Sequence, residues 1–255
     1  MHLTTIGTGT ATPSPARVNS GSLIEAGDVR LLLDCGSGVV HRMAVLGLDW
    51  LTLTHVALTH FHPDHTLDLT TLWYAWKYGT LPPRSAPLEV MGPPGTAKLF
   101  QAFGALYGGA MAEPGFPVRV TEIPFGGGVD LPGGCRLDTI KVPHTEESVA
   151  YSLSRGARRA VFTGDTGESA PLGDWAKGAD LLVAECSLPD AMAVPTHLSP
   201  SRCAALAERA APKQLALTHF YTVVEDEDIR GAVATRYAGP VTLAWDGWDI
   251  ELEES

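Results

Sequence analysis

Three of the nine histidines in this 255-residue chain fall within six positions, in the segment His60-Phe61-His62-Pro63-Asp64-His65. In an extended segment, side chains two residues apart point the same way, so His60 and His62 can converge on one ion. The proline favours a helix start, and the turn directs Asp64 and His65 towards a second ion nearby. Three imidazoles and a carboxylate would pack poorly in a core without a metal to organise them. The segment therefore predicts a two-metal site.

The elements that must position these groups are suggested by short apolar runs that alternate with helix-like segments. Strand-like runs occur at 22–26, 30–33, 56–58, 88–91, 149–153, 160–162, 181–184, 214–217 and 241–244, and helix-like segments at 37–46, 64–78, 95–106, 200–210 and 226–236. We expect one α/β domain over residues 1–255, with sheets covered by helices.

Candidate ligands recur just after these predicted strands. The tetrapeptide Leu58-Thr59-His60-Phe61 is repeated as Leu217-Thr218-His219-Phe220, in each case after an apolar run. Asp165 follows the run ending at Phe162, and Asp34 follows Leu33. Four strands are therefore expected to deliver polar side chains at their carboxyl ends, where α/β architectures usually place their chemistry.

Composition narrows the class of partner. The net charge is −11 and the sequence has no lysine- or arginine-rich cluster, which disfavours a long nucleic acid as substrate. No apolar run is long enough to cross a bilayer, and the amino terminus does not resemble a signal peptide. Four cysteines are widely spaced without a CxxC pair, which favours free thiols in the cytoplasm: Cys35, Cys135, Cys186 and Cys203.

The order of the later candidate ligands adds to the histidine motif. An HxHxDH segment followed by His144, by Asp165 in a Thr-Gly-Asp-Thr sequence, and by His219 resembles the metallo-β-lactamase superfamily. The resemblance runs from Gly7-Thr8-Gly9-Thr10 to Asp246-Gly247. It implies an αββα sandwich of the metallo-β-lactamase type, with two divalent metal ions at one edge between the sheets. Zinc is the default metal for such ligands, with manganese or iron as alternatives.

Residue roles follow from this resemblance by position. It implies that the first metal is held by His60, His62 and His144, the second by Asp64, His65 and His219, and that Asp165 bridges both. A hydroxide shared by the two metals would then be the attacking group. Asp34 is similar to a family acid that hydrogen-bonds ligand residues and so orients their imidazoles.

Three further segments resemble the ribonuclease Z-like phosphodiesterase group: 7–20, 88–95, and 184–186 with 196–199 and 217–220. This resemblance implies that Glu185 and His197 form a pair in which the histidine protonates the leaving oxygen. Together with Asp64 they are the candidate catalytic residues. In the opening loop, Arg17, Asn19 and Ser20 are candidates to contact the substrate phosphate.

Two departures separate the chain from the tRNA-processing members. Only 21 positions separate His144 from Asp165, where those members insert a long basic arm, and the opening loop reads Arg-Val-Asn instead of Arg-Asn. We therefore expect a short-form phosphodiesterase for small phosphodiesters or nucleotide ends, with a homodimer implied by the resemblance. Open alternatives are a tRNA 3′-end endonuclease, a carboxylic ester, lactone or thioester hydrolase, and a non-catalytic binding protein.

An aromatic stretch follows the motif on the same predicted helix: Trp73, Tyr74, Trp76 and Tyr78. These side chains are candidates for one wall of the substrate cleft, where they would stack on a base or another ring. An aromatic helix face is more often part of the core or of a dimer contact, and the sequence does not decide between these roles.

Overall fold

A computed structural model describes residues 1–253 and places two seven-stranded sheets face to face. The strands of the first sheet are β1 (His2–Gly7), β2 (Gly21–Ala26), β3 (Val29–Leu33), β4 (His55–Ala57), β5 (Leu88–Gly92), β6 (Val118–Glu122) and β14 (Asp249–Glu251). Their order is β14-β1-β2-β3-β4-β5-β6, antiparallel as far as β3 and parallel from β3 onwards. The parallel half carries the predicted ligand segments.

The second sheet repeats this plan. Its strands are β7 (Gly128–Leu131), β8 (Cys135–Lys141), β9 (Val149–Arg155), β10 (Arg158–Phe162), β11 (Leu181–Glu185), β12 (Leu215–Thr218) and β13 (Val241–Leu243). The order is β13-β12-β11-β10-β9-β8-β7, parallel from β10 to β13 and antiparallel elsewhere. The 144–165 segment contains the β9–β10 hairpin and no inserted arm, as its length predicts.

Helices cover the outer faces of both sheets. They are α1 (Val39–Val45), α2 (Pro63–Thr66), α3 (Asp68–Tyr78), α4 (Thr96–Tyr107), α5 (Gly109–Ala112), α6 (Ala170–Trp175), α7 (Pro200–Ala210) and α8 (Ile229–Ala234). One apolar cluster lies between the sheets, one packs α1, α3 and α5 on the first sheet, and one packs α6, α7 and α8 on the second. The predicted αββα sandwich is confirmed. Within residues 1–253, no helix has the length and apolar character needed to span a bilayer.

The carboxyl ends of the parallel strands meet at one edge of the sandwich. Asp34 follows β3 and His219 follows β12, and both backbones turn there with positive φ angles of 58° and 59°. A residue other than glycine adopts this conformation at a cost that the surrounding structure must sustain. These two turns point a carboxylate and an imidazole back over the sheet edge towards the predicted metal ligands.

The predicted strand runs all overlap observed strands, but five strands are not predicted: β1, β6, β7, β8 and β14. The predicted helix over 64–78 is interrupted at Leu67, between α2 and α3, and the helices α5 and α6 were not expected. Three of the missed strands, β6, β7 and β14, lie at sheet edges, and β8 begins with alternating apolar and polar residues. The strand β1 is buried, but its adjacent threonines interrupt the apolar run that marks such a strand.

Where the first and last strands of the chain pair, a histidine on β1 lies between carboxylates of β14 and β2. His2 Nε2 lies 2.9 Å from Asp249, and Nδ1 lies 3.5 Å from Glu25. Partial burial opposes the charge on His2, but the two carboxylates raise its pKa above the ordinary value. A raised pKa stabilises the fold at low pH, and the gain is lost as the pH rises through the folded-state pKa.

We therefore expect His2→Gln to lower the free energy of unfolding by about 0.5 kcal/mol at pH 5.5, because exposed ion pairs contribute little. The loss should be smaller at pH 8.5, as measured by urea denaturation at both pH values. An equal loss at both would contradict the ionic origin of the effect.

Candidate metal centre

One group of ligand-type side chains contains His60, His62, His144 and Asp165, whose ligand atoms lie within 4.8 Å of one another. His144 Nε2 lies 3.1 Å from His62 Nδ1 and 3.7 Å from Asp165 Oδ2. His60 Nε2 lies 3.9 Å from the same carboxylate oxygen. His60 and Asp165 are buried while His62 is exposed, so this group opens to solvent on one side.

A second, fully buried group shares Asp165 with the first and adds Asp64, His65 and His219. His65 Nε2 and His219 Nε2 lie 3.2 and 3.3 Å from Asp165 Oδ1. His219 Nε2 is 3.5 Å from Asp64 Oδ2. The two oxygens of Asp165 thus face different groups, which is the geometry that a bridging carboxylate needs. The structure brings all seven predicted ligands together.

Hydrogen bonds on the outer side of the imidazoles decide which ring nitrogen faces inward. His65 Nδ1 donates to Asp34 Oδ2 at 2.8 Å, and His144 Nδ1 donates to the carbonyl oxygen of Thr196 at 2.9 Å. A proton held on Nδ1 leaves a lone pair on Nε2, and Nε2 is the atom that points at the carboxylates. Both rings are therefore held in the tautomer that can ligate a metal.

Hydroxyl groups hold two further imidazoles in the same way. Thr59 Oγ1 lies 3.0 Å from His60 Nδ1, and Ser187 Oγ lies 2.9 Å from His219 Nδ1. Each hydroxyl gives its own proton to a carboxylate and can accept the proton of the imidazole. His60 and His219 therefore also present Nε2 to the interior of the cluster.

Within residues 1–253, two buried atoms of this cluster make no hydrogen bond: His60 Nε2 and Asp165 Oδ1. A buried polar atom without a partner costs about 1–3 kcal/mol, and a cation at each group would satisfy both atoms. Zinc ligands at 2.0–2.1 Å in a tetrahedron lie about 3.3 Å apart. The ligand atoms measured here are 3.1–3.9 Å apart, so the residues fit two divalent cations.

The charges of the cluster also favour cations. Burial opposes a charge on His65, but Asp165 and Asp34 hold its pKa well above the ordinary value. Burial likewise opposes ionisation of Asp165, yet His219 and His65 hold the pKa of that carboxyl well below its usual range. Burial lowers the pKa of His60 well below the ordinary value, which keeps it neutral. The ionised Asp165 and the neutral His60 are already in the states that metal binding requires, whereas a cation bound beside His65 would displace the second proton of that imidazole.

Asp34 organises the side of the cluster that belongs to the first sheet. Its carboxylate accepts hydrogen bonds from the Thr59 backbone N–H at 2.8 Å, from the Thr59 hydroxyl at 2.9 Å, and from His65 Nδ1. It therefore orients His65 directly and His60 through Thr59. This is the supporting contact that the sequence implied for Asp34, and Thr59 extends it to a second imidazole.

Glu185 and His197 lie beside the second group, with His219 within the same 4.8 Å cluster. His197 Nδ1 donates to the Glu185 carboxylate, at 3.0 and 3.1 Å from its two oxygens. Burial opposes a charge on His197, but the hydrogen bond and the charge of Glu185 raise its pKa above the ordinary value. The pair thus favours the protonated form of His197 beside the candidate metal ligands.

The candidate phosphate-binding residues of the opening loop contact other segments of the chain, including the backbone of the proposed ligand Asp64. The Arg17 guanidinium forms an ion pair with Glu225 and lies over the ring of Phe220, 4.7 Å from its centroid. The Asn19 amide donates to the Thr10 carbonyl oxygen, and the Ser20 backbone N–H donates to the Asp64 carbonyl oxygen at 3.1 Å. These contacts give the loop a positioning role. Phosphate contact by Arg17, Asn19 and Ser20 stays a prediction.

The aromatic stretch divides between core and surface. Trp73 and Trp76 are buried in the cluster beneath the first sheet, so they cannot form a wall of the substrate cleft as proposed from the sequence. Tyr74 and Tyr78 are exposed, and the Tyr74 hydroxyl donates to the Tyr107 carbonyl oxygen at 2.9 Å. For the two tryptophans, the alternative of core packing is therefore correct.

Sequence reasoning missed one aromatic residue at the centre. The ring of Tyr221 lies beside His197 and His219, with centroids 6.4 Å apart in both cases. Burial and the nearby carboxylates raise the pKa of its hydroxyl, so it remains a hydrogen-bond donor at neutral pH. Its position two residues after His219 was the available signal.

Comparison with known proteins places this geometry in a family. The family model of the metallo-beta-lactamase superfamily matches residues 15–210. The chain is 31% identical to ribonuclease Z of Mycobacterium avium (strain 104), over 99% of both proteins. It is 30% identical to ribonuclease Z of Mycobacterium tuberculosis (strain ATCC 25618 / H37Rv), over 99% of this chain and 98% of the relative.

Solved structures share the fold over the whole chain. The metallo-beta-lactamase fold protein YhfI of Bacillus subtilis superposes with a TM-score of 0.84 at 24% identity, covering 98% of both chains. The short form of human tRNase Z gives 0.81 at 23% identity over 100% of both chains, and a diphosphatase of the PhnP family gives 0.72 at 18% identity over 99% of this chain and 98% of that one. The chain therefore belongs to the metallo-β-lactamase superfamily, among its ribonuclease Z-like metal-dependent hydrolases.

Proposed function

We propose that this chain is a dinuclear metal-dependent phosphodiesterase that acts on small phosphodiesters or nucleotide ends. The observation that carries the proposal is the Glu185–His197 pair beside the two ligand groups. Such a pair would accelerate phosphodiester hydrolysis, because the departing alkoxide needs a proton that a positioned acid can supply.

The proposed ligands are His60, His62 and His144 for one metal and Asp64, His65 and His219 for the other, with Asp165 between them. Zinc is the proposed metal because imidazole-rich sites with a few carboxylates suit it. Two bound divalent cations supply Lewis acidity towards phosphoryl oxygens and make water acidic enough to attack near neutral pH. Elemental analysis of the purified protein tests both the number and the identity of the metals.

The chain's own residues supply the proton and the orientation. His197 keeps its Nδ1–H on Glu185, so its Nε2–H is the proton available to the leaving oxygen. Its side chain is 14% exposed, so it can reach a substrate and yet stays fixed by its carboxylate partner. The ring of Tyr221 lies beside this imidazole, with the two ring centroids 6.4 Å apart.

The proposed substrate is small because nothing in the sequence or the described structure resembles a long nucleic acid clamp. The segment between His144 and Asp165 is taken up by the β9–β10 hairpin. The net charge of −11 opposes a polyanion. The alignments with the ribonuclease Z relatives span 279–282 positions, longer than this chain, so those relatives carry segments that it lacks.

A tRNA 3′-end endonuclease is the second candidate, favoured by the relatives named ribonuclease Z. Hydrolysis of a carboxylic ester, lactone or thioester is the third, since the metal centre alone does not select phosphorus over carbon. The four cysteines are free and buried, which supports the proposal that the protein works in the reducing cytoplasm. A homodimer stays a prediction.

The test compares two leaving groups in the variant His197→Ala. We expect hydrolysis of a 2′,3′-cyclic nucleotide, which expels an alkoxide, to fall by about 10²–10⁴-fold, the usual contribution of a general acid. Hydrolysis of bis-p-nitrophenyl phosphate should fall by less than about 10-fold, because p-nitrophenolate leaves without a proton. The measurement is kcat/KM for both substrates with a saturating supply of zinc.

His41→Ala is the matched control, because His41 is an exposed histidine on α1, away from the centre. It should leave both reactions unchanged. Equal losses on the two substrates in His197→Ala would remove the acid role, and cleavage of a tRNA precursor or of esters in preference to phosphodiesters would favour one of the alternatives.

A further inference from the structure

Ser187 lies two residues after Glu185 and is fully buried at the point where the acid pair meets the metal centre. Its hydroxyl contacts the Glu185 Oε2 atom, and the same Oγ lies 2.9 Å from His219 Nδ1. Among the site residues predicted from the sequence, none contacts both the Glu185 carboxylate and the imidazole of His219 in this way. The sequence gives no motif-based reason to select this serine.

The direction of the hydrogen bonds follows from what each group can donate. A serine hydroxyl has one proton, and an ionised carboxylate can only accept, so that proton lies on the contact with Glu185. The remaining lone pairs of Ser187 Oγ then accept the Nδ1–H of His219. This fixes the tautomer of His219 and leaves its Nε2 lone pair facing Asp64 and Asp165.

The first sheet contains the same arrangement. Asp34 accepts the proton of the Thr59 hydroxyl at 2.9 Å, and that hydroxyl lies 3.0 Å from His60 Nδ1. The carboxylate in each case also accepts a second imidazole, which is His65 for Asp34 and His197 for Glu185. A carboxylate–hydroxyl–imidazole relay therefore supports the centre from both sheets, and both relays are buried.

We propose that Ser187 is a positioning residue that couples the Glu185–His197 pair to His219, so that the proton donor and the second metal group are assembled as one unit. The Glu185 carboxylate also accepts the backbone N–H of Thr166, the residue after the proposed bridging Asp165. One buried carboxylate is thus connected to the bridge, to a ligand and to the acid, and Ser187 is its connection to the ligand. The proposal rests on the metal cluster of the proposed function, and not on the identity of its substrate.

The variant Ser187→Ala removes the relay and keeps the small size of the side chain. We expect the affinity for one of the two zinc equivalents to fall by about 10–100-fold, the usual cost of removing a hydrogen-bond partner of a ligating histidine. The other equivalent should bind as in the wild type, since the Ser187 hydroxyl contacts Glu185, His197 and His219 and none of His60, His62 and His144. Chelator competition with zinc as the probe measures both affinities.

Two further readouts separate positioning from a general loss of structure. In the zinc-loaded wild type, ¹⁵N-detected imidazole spectra should show His219 protonated at Nδ1, and in Ser187→Ala that proton should exchange faster. Ser187→Thr retains a hydroxyl and should restore the affinity. Ser152→Ala is the matched control, because Ser152 is a buried serine that pairs with Arg159 away from the centre.

Unchanged zinc affinity and an unchanged His219 signal in Ser187→Ala would overturn the proposal. So would a loss of affinity that Ser152→Ala reproduces. A wild-type protein that binds two zinc ions but cleaves no phosphodiester would contradict the proposed function. The Ser187 proposal could still be tested in that case, because zinc affinity and the His219 spectrum do not depend on turnover. If Ser187→Thr does not fold, the affinity and the spectrum of Ser187→Ala decide the matter.

Discussion

Asp165→Ala is expected to lose phosphodiesterase activity by at least about 10³-fold, more than the removal of one charge-stabilising donor usually costs. The physical reason is that the two oxygens of Asp165 face the two ligand groups separately. Without this carboxylate, each group loses its only shared anion, and the remaining imidazoles no longer have a negative charge between them. We expect tight binding of both metals to be lost together.

Metal-dependent stability provides an independent measurement. A ligand that binds only the folded state stabilises it by about 2.7 kcal/mol when its free concentration is 100 times its Kd. The wild type should gain this stability on addition of zinc, and Asp165→Ala should not. Asp174→Ala is the control, since Asp174 is an exposed aspartate paired with Arg209 on the surface. A variant at position 165 that still binds two metals would contradict the bridging role.

Asp34→Asn is expected to produce the second largest effect, although it changes almost nothing in size. Asparagine tolerates the positive φ at this position, so backbone strain does not obscure the result. Its amide group, however, replaces an oxygen that now accepts from Thr59 and His65. To satisfy that amide, His65 must move its proton from Nδ1 to Nε2, the atom that faces Asp165.

The lone pair that His65 offers to a metal is then lost. We expect the affinity for zinc to fall by about 10–100-fold and the free energy of unfolding to fall by about 1–3 kcal/mol, the cost of a buried polar group with unsatisfied hydrogen bonds. Chelator competition and urea denaturation measure the two effects, with Asp174→Asn as the control. Wild-type affinity in Asp34→Asn would mean that another contact fixes the tautomer of His65.

The sequence predicts the centre well because its chemistry depends on residue types that have few other reasons to cluster. His60, His62, Asp64 and His65 are adjacent in the chain, and strand ends bring the distant ligands to them. The parallel strands β3, β4, β10, β11 and β12 could be read from apolar runs, because a strand buried on both faces leaves that pattern. The alternation of these runs with helix-like segments predicts sheets covered by helices, and the αββα arrangement was implied by the family resemblance.

The residues that could not be predicted act through geometry alone. Ser187 and Thr59 are ordinary hydroxyl residues, and only the fold shows that each lies between a carboxylate and an imidazole. Trp73 and Trp76 carry no signal that distinguishes a cleft wall from a core, and the packing of α3 decides it. The ion pair of Arg17 with Glu225 could not be predicted either, because the two residues are 208 positions apart in the chain.

A zinc titration decides whether two metal ions at this centre are needed for phosphodiester hydrolysis. Chelator-stripped protein is supplied with zinc in steps while bound metal and hydrolysis of bis-p-nitrophenyl phosphate are followed in the same samples. We expect activity to rise until two zinc ions are bound per chain and then to stay constant. A plateau at one ion per chain, or two bound ions without hydrolysis, would contradict this expectation.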